Sequence, residues 1–231
     1  MTEQEIMEML KKLPGNAEEY DVSGIVPDQQ SLLKDKTIIW LGSSVTYGAA
    51  SFGQSFVEFI DACKGTKSVK EAVSGTTLTA DEENNYIERM VKLPADIKAD
   101  AFVCQLSTND ATKNKPLGSI AGDCQCYDIT TITGAIEYII QYARDTWHCP
   151  VYFYTGTKYD SPLYEQMVNR LHEIAGQKEI GIIDLWNDPE MNAVTKEDYA
   201  LYMADPIHPT KAGYRNWWTP AFIRFLEEHL I

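Results

Sequence analysis

The sequence predicts one α/β sandwich, a parallel sheet with helices on both faces. Short apolar runs alternate with longer helix-like segments five times along the chain, and such repetition means parallel strands joined by right-handed crossovers. The runs also lack a polar/apolar alternation, as strands buried on both faces require. With 231 residues, 44% of them hydrophobic and 23% charged, the chain has ample material for one sizeable core.

The elements follow in order. Ile6, Met9, Leu10 and Leu13 recur at helical spacing over residues 2–13, and Pro14-Gly15 ends the pattern. Residues 14–35 read as an irregular arm, so the chain divides into an N-terminal helix and arm (1–35) and a single globular domain (36–231). Strands are expected at Thr37–Leu41, Ser68–Val73, Ala101–Leu106, Val151–Thr155 and Gly181–Trp186. Between them lie helix candidates near 53–64, 84–93, 132–147 and 161–177, with a last one near 210–229. The segment 132–147 shows the period well, with Ile132, Ala135, Ile136, Ile139, Ile140 and Ala143 in one stripe. The longest candidate loop, 107–131, contains Cys124 and Cys126, and long loops in compact domains are often functional.

Composition narrows the function. A formal net charge of −14 repels phosphate backbones and anionic lipid, so neither nucleic acid nor a membrane is expected as partner. A neutral small-molecule substrate fits better. The start, MTEQEIMEMLKKLPGN, lacks a basic n-region and an apolar h-region, and no stretch approaches ~18 consecutive apolar residues. Cys63, Cys104, Cys124, Cys126 and Cys149 are an odd, irregular set and are expected as free, mostly buried thiols. A reducing, cytoplasmic location suits them.

Sites in such sheets form at the carboxyl ends of the strands. After the first strand come Gly42, Ser43 and Ser44; after the second, Gly75 in VSGTT; after the third, Asn109 and Asp110 in LSTND. Beyond the fifth, before the last helix, ADPIHPT supplies Asp205 and His208. A hydroxyl, a small turn, an amide and an acid–imidazole pair thus meet at one edge, the set that acyl transfer needs. His148 belongs to the opposite edge, His172 lies mid-helix and His229 ends the last helix. That leaves His208, where Asp-x-x-His in a tight turn can bring the carboxylate onto one ring nitrogen and leave the other as a base.

The blocks GSSVTYG, SGTT, STND and DPIHP occur in the order and spacing of the four blocks of the SGNH (GDSL-like) hydrolase superfamily, which the chain resembles over about residues 37–213. The resemblance implies a three-layer α/β/α flavodoxin-like sandwich with a five-stranded parallel sheet of order 2-1-3-4-5. It also implies Ser44 as nucleophile, and Asp205 and His208 as orienter and base. The oxyanion hole would comprise the N–H groups of Ser44 and Gly75 with the Asn109 amide, and no cofactor would be needed. Three positions depart from the pattern: Ser43 stands where Asp is usual, Ser107 where Gly is usual, and Lys70 where an Asn is customary. Ser43 is expected to turn toward neighbouring backbone, its hydroxyl partly replacing the hydrogen bonds an Asp would accept.

By this resemblance the chain is a serine esterase acting on small acyl esters, with carbohydrate O-acetyl groups the leading substrate. A lysophospholipase or acyl-thioesterase is the same-chemistry alternative, and a catalytically silent binding module is the alternative of a different class. Trp186, Trp217 and Trp218 could form a sugar platform, although helix aromatics are more often core. Tyr154 and Thr155 could floor the pocket, while Asp110 reads as structural.

Overall fold

Ile38, Ile39, Trp40 and Leu41 are all completely buried, which a strand achieves only with layers packed on both its faces. The computed structural model, which describes residues 2–122 and 126–231, supplies both layers. The strands are β1 (Thr37–Gly42), β2 (Lys67–Ala72), β3 (Ala101–Gln105), β4 (Val151–Tyr154) and β5 (Gly181–Ile183). They form one sheet of order β2-β1-β3-β4-β5, every neighbouring pair parallel. The expected order and direction both hold.

The helices are α1 (Glu3–Lys11), α2 (Ser44–Tyr47), α3 (Phe56–Lys64), α4 (Tyr86–Met90), α5 (Thr108–Thr112) and α6 (Ile132–Trp147). They continue with α7 (Pro162–Lys178), α8 (Lys196–Tyr202), α9 (Lys211–Gly213) and α10 (Thr219–Leu230). Because side chains alternate along a strand, β1 feeds two cores. Ile39 and Leu41 join Phe102, Phe153 and the α6–α7 face; Ile38 and Trp40 join Val103, Tyr154 and the α3–α10 face. The second core is aromatic, with Phe56 and Phe222 stacked at 4.0 Å between centroids. Each such side chain stabilises by about 1.5–3 kcal/mol relative to exposure.

The α6 stripe is buried as the sequence predicts, and the helix starts where Thr131 Oγ1 accepts the N–H of Gly134. Four differences concern loops and ends. β5 stops at Ile183 rather than reaching Trp186. The loop after β3 opens with α5, capped by Ser107. Helix α8, with only half-buried or exposed residues, lies between the fifth strand and the last helix, where the sequence analysis places no element. The last helix is not uniform: a π-turn, Tyr214–Trp218, joins α9 to α10. Pro220 lacks the N–H that an unbroken α-helix would direct at residue 216, and the backbone widens just upstream of it.

Cys104 and Cys149 are buried free thiols and Cys63 is a half-buried one. Cys126 is exposed, and Cys124 lies outside the described residues. Among the described residues no helix is long and apolar enough to cross a membrane.

Candidate active site

β1 must turn sharply at Gly42, where an added Cβ would lie 1.8 Å from Thr46 Oγ1. Ser43 follows with a non-helical backbone (φ −120°, ψ −142°), and Ser44 opens α2. Ser44 Oγ lies 2.8 Å from His208 Nε2. On the far side of the ring, His208 Nδ1 lies 2.8 Å from Asp205 Oδ2 and 3.0 Å from Oδ1.

The sequence D-P-I-H builds this pair locally. Asp205 Oδ1 accepts the backbone N–H of Ile207 at 2.8 Å and of His208 at 2.9 Å, an Asx-type turn. Its base is closed by the Met203–Pro209 bridge and by Ala204 N–H donating to His208 O at 2.9 Å. Burial by itself would raise the Asp205 carboxyl. The hydrogen bond and charge of His208, with the two backbone donors, outweigh it and hold the carboxyl below its ordinary range. A charged carboxylate at Nδ1 keeps the proton there and leaves Nε2 to accept from the Ser44 hydroxyl.

Across from this relay, Asn109 sits in the first turn of α5, and its Nδ2 donates to Thr76 O at 2.8 Å. Gly75 has φ +81°, and the space beside its Cα is open. Asp110 fixes the loop beyond it by accepting from Leu78 N (2.8 Å) and Thr79 N (3.1 Å); burial pushes this carboxyl up. The N–H groups of Ser44 and Gly75 have no acceptor among the described residues. The structure therefore brings Ser44, His208 and Asp205 into one hydrogen-bonded chain. It joins Asn109 and the Gly75 turn to each other through Thr76, on the same sheet edge.

Two supporting side chains escape a reading of the sequence. Gln105, fully buried at the end of β3, accepts from Ser43 N (2.9 Å), Thr46 N (3.3 Å) and Thr46 Oγ1 (2.8 Å) through one oxygen. This corrects the expectation for Ser43. Its hydroxyl is buried, bonds no backbone group and faces the equally buried Tyr86 hydroxyl. The role expected of a residue at 43 is taken from β3 instead. Arg89, 4% exposed, donates from Nε to Asn84 O and from Nη1 to Glu71 O and Oε1. Its Nη2 reaches Gly42 O at 2.9 Å and Thr76 Oγ1 at 3.0 Å, so all five guanidinium N–H groups are engaged. The only local signals were a polar residue ending an apolar strand and one arginine among Tyr86, Ile87 and Met90.

Of the tryptophans, Trp186 and Trp218 are buried in the cores and form no platform; Trp217 is half-buried. Tyr154 lines a small cavity of about 10 Å³, together with Val45, Thr108 and Ile207, the chain neighbours of Ser44, Asn109 and His208. Thr155 instead bonds Asp184 and the Trp186 N–H. Thr157 lines both this cavity and an open groove of about 410 Å³ bounded by Asn192, Tyr199 and Trp217.

A hydroxyl, an imidazole and a carboxylate in series beside free N–H donors can carry out acyl transfer. Comparison with known proteins agrees in class. The model of the GDSL-like lipase/acylhydrolase family matches residues 40–215, and the chain belongs to that family of ester-bond hydrolases. No curated protein matches the sequence. A crystal structure of a protein from Lactobacillus plantarum superposes with TM-score 0.70 at 22% identity, covering 86% of this chain and 99% of that one. An acetyl xylan esterase gives TM-score 0.60 at 14% identity, covering 83% and 98%. A family two carbohydrate esterase from Clostridium thermocellum, solved with cellohexaose, gives 0.61 at 12% identity, covering 89% and 67%. At these identities the likeness concerns the fold.

Proposed function

We propose that the protein hydrolyses small acyl esters through an acyl-enzyme on Ser44, with carbohydrate O-acetyl groups as the preferred substrates. The observation that carries this reading is the unbroken chain from Ser44 Oγ through His208 to Asp205. Ser44 attacks the carbonyl carbon while His208 Nε2 takes the hydroxyl proton. Asp205 holds the ring by Nδ1 and stabilises it once charged. The N–H groups of Ser44 and Gly75 and the second N–H of the Asn109 amide receive the oxyanion. His208 then protonates the departing alcohol. Water repeats the sequence on the acyl-enzyme and releases the acid.

The small-acyl reading draws support from the cavity lined by Val45, Thr108 and Ile207, the chain neighbours of Ser44, Asn109 and His208. At about 10 Å³ it has room for little more than a water or a methyl group, and a long acyl chain needs an apolar channel. The groove reached past Thr157, with Tyr199 and Trp217 on its walls, leaves space for a bulkier alcohol half. That two fold neighbours are described as an acetyl xylan esterase and a carbohydrate esterase supports the sugar assignment. The test is a rate series over p-nitrophenyl esters of rising chain length and a panel of acetylated sugars. Rates should fall sharply beyond butyryl. Faster hydrolysis of dodecanoyl than of acetyl esters would overturn the small-acyl reading in favour of a lipid or thioester substrate.

A further inference from the structure

The family match begins at residue 40, so the segment before β1 is an addition to the matched span. After α1 it runs as three short 3₁₀ turns, Pro14–Asn16, Glu18–Tyr20 and Val22–Gly24. Its polar side chains bond to two segments that flank the site. One is the loop after α2, residues 48–54, which follows the Ser44 turn. The other is the Lys211 segment, which follows His208.

Asn16 is the clearest case. It is 6% exposed, and its Nδ2 donates to Ala50 O at 2.8 Å and to Leu10 O at 3.0 Å. Its Oδ1 accepts the Lys211 N–H at 3.0 Å. One planar amide therefore sets the separation between residue 50 and residue 211. Asp21 repeats the bridge a turn later: Oδ1 accepts from Lys211 Nζ at 2.9 Å and from Gln54 Nε2 at 2.5 Å. Gln54 Oε1 in turn accepts the Val22 N–H at 2.9 Å. The arm backbone is pressed against the histidine side, since a Cβ on Gly15 would lie 1.9 Å from Leu201 O and 2.4 Å from Thr210 Oγ1.

We propose that the arm is a strap that positions the two halves of the relay, with Asn16 as its positioning residue. Ser44 and His208 are 164 residues apart in the chain and must meet within hydrogen-bond reach. Direct ties exist in Tyr214 OH donating to Val45 O at 2.6 Å and in Lys211 Nζ over the Phe52 ring at 5.4 Å. The arm adds a further tie through the buried Asn16 amide and the half-buried Asp21–Lys211 ion pair. The inference rests on the proposed relay. It gives residues 14–24 a part in turnover, although none of them touches the reacting atoms.

The experiment compares wild type with Asn16→Ala, Asn16→Asp and Asp21→Asn well below their unfolding temperatures. It measures kcat and KM on p-nitrophenyl acetate and the rate of fluorophosphonate labelling. A misplacement of about 1 Å can cost ~10²-fold in rate. Asn16→Ala should therefore lower kcat and the labelling rate together by about tenfold or more, with KM within about twofold. Asn16→Asp keeps the acceptor for Lys211 N and loses the donor to Ala50 O, so it should fall between. If Asn16→Ala does not fold, Asp21→Asn carries the test, with a kcat loss at constant KM expected. A lower melting temperature with unchanged kcat and labelling would overturn the strap and leave the arm as packing. Ser44→Ala reports on the relay alone. Turnover kept there rejects the relay; turnover lost there but unchanged in the arm variants rejects only the strap.

Discussion

Asn109 Nδ2 donates to Thr76 O at 2.8 Å, and that bond aims the amide. A side-chain amide has two N–H donors. In the proposed mechanism, fixing one on Thr76 sets the plane and leaves the other for the oxyanion, with the N–H of Gly75 one residue before Thr76. Donors fixed in advance stabilise developing charge without reorganising.

Losing such a donor typically costs ~10²–10³ in kcat. Asn109→Ala should therefore lower kcat far more than it raises KM in steady-state kinetics. A change in KM alone would make Asn109 a ground-state binding residue.

The two serines should separate cleanly. Ser44→Ala should abolish both turnover and fluorophosphonate labelling with the circular dichroism spectrum unchanged. Ser43→Ala should keep the label on Ser44. Because Ser43 Oγ is buried and bonds no backbone group, its removal leaves no backbone donor or acceptor unpaired. Thermal unfolding of Ser43→Ala should show stability unchanged or raised.

His208→Ala should cost several orders of magnitude in kcat, and Asp205→Asn the same or less, since the members act as a unit. The Asp205 carboxyl also sets a pH dependence. Burial opposes its charge, but His208 and two backbone donors hold it below its ordinary range. A carboxyl whose folded value is depressed stabilises the fold above the unfolded value and loses that contribution as pH falls through the folded one. Urea unfolding should show wild type losing stability relative to Asp205→Asn as pH falls below about 4, the ordinary aspartate value. Parallel curves would place the Asp205 contacts outside the stability balance.

Gln105 holds two backbone N–H groups and a hydroxyl with one oxygen. Gln105→Ala leaves buried donors unpaired, at about 1–3 kcal/mol each by desolvation, and loosens the Ser44 turn. It should lower both the denaturant midpoint and kcat. Full activity at unchanged stability would show that the turn holds without it.

For Arg89, a lysine keeps the charge but cannot span Gly42 O, Thr76 Oγ1 and Glu71 together. Arg89→Lys should therefore cost kcat more than KM, and wild-type kcat in that variant would reduce Arg89 to a charge.

The sheet and the cores were determined by the sequence alone. Periodicity of 3.6 residues and unbroken apolar runs are local records of burial, and Ile132–Ala143 or Ile38–Leu41 carry them whatever the partner. The D-P-I-H turn was legible for the same reason, because its hydrogen bonds span two and three residues. Ser44, Gly75 and Asn109 were singled out by their place after strands and by an ordered set of short blocks. What holds them was decided only by the tertiary structure. Gln105 acts on Ser43 from 62 residues away, Arg89 on Gly42 from 47, and Asn16 on Lys211 from 195. A buried polar side chain is drawn to whichever backbone group the packing leaves unpaired. That group lies on another element, so no spacing in the chain records it.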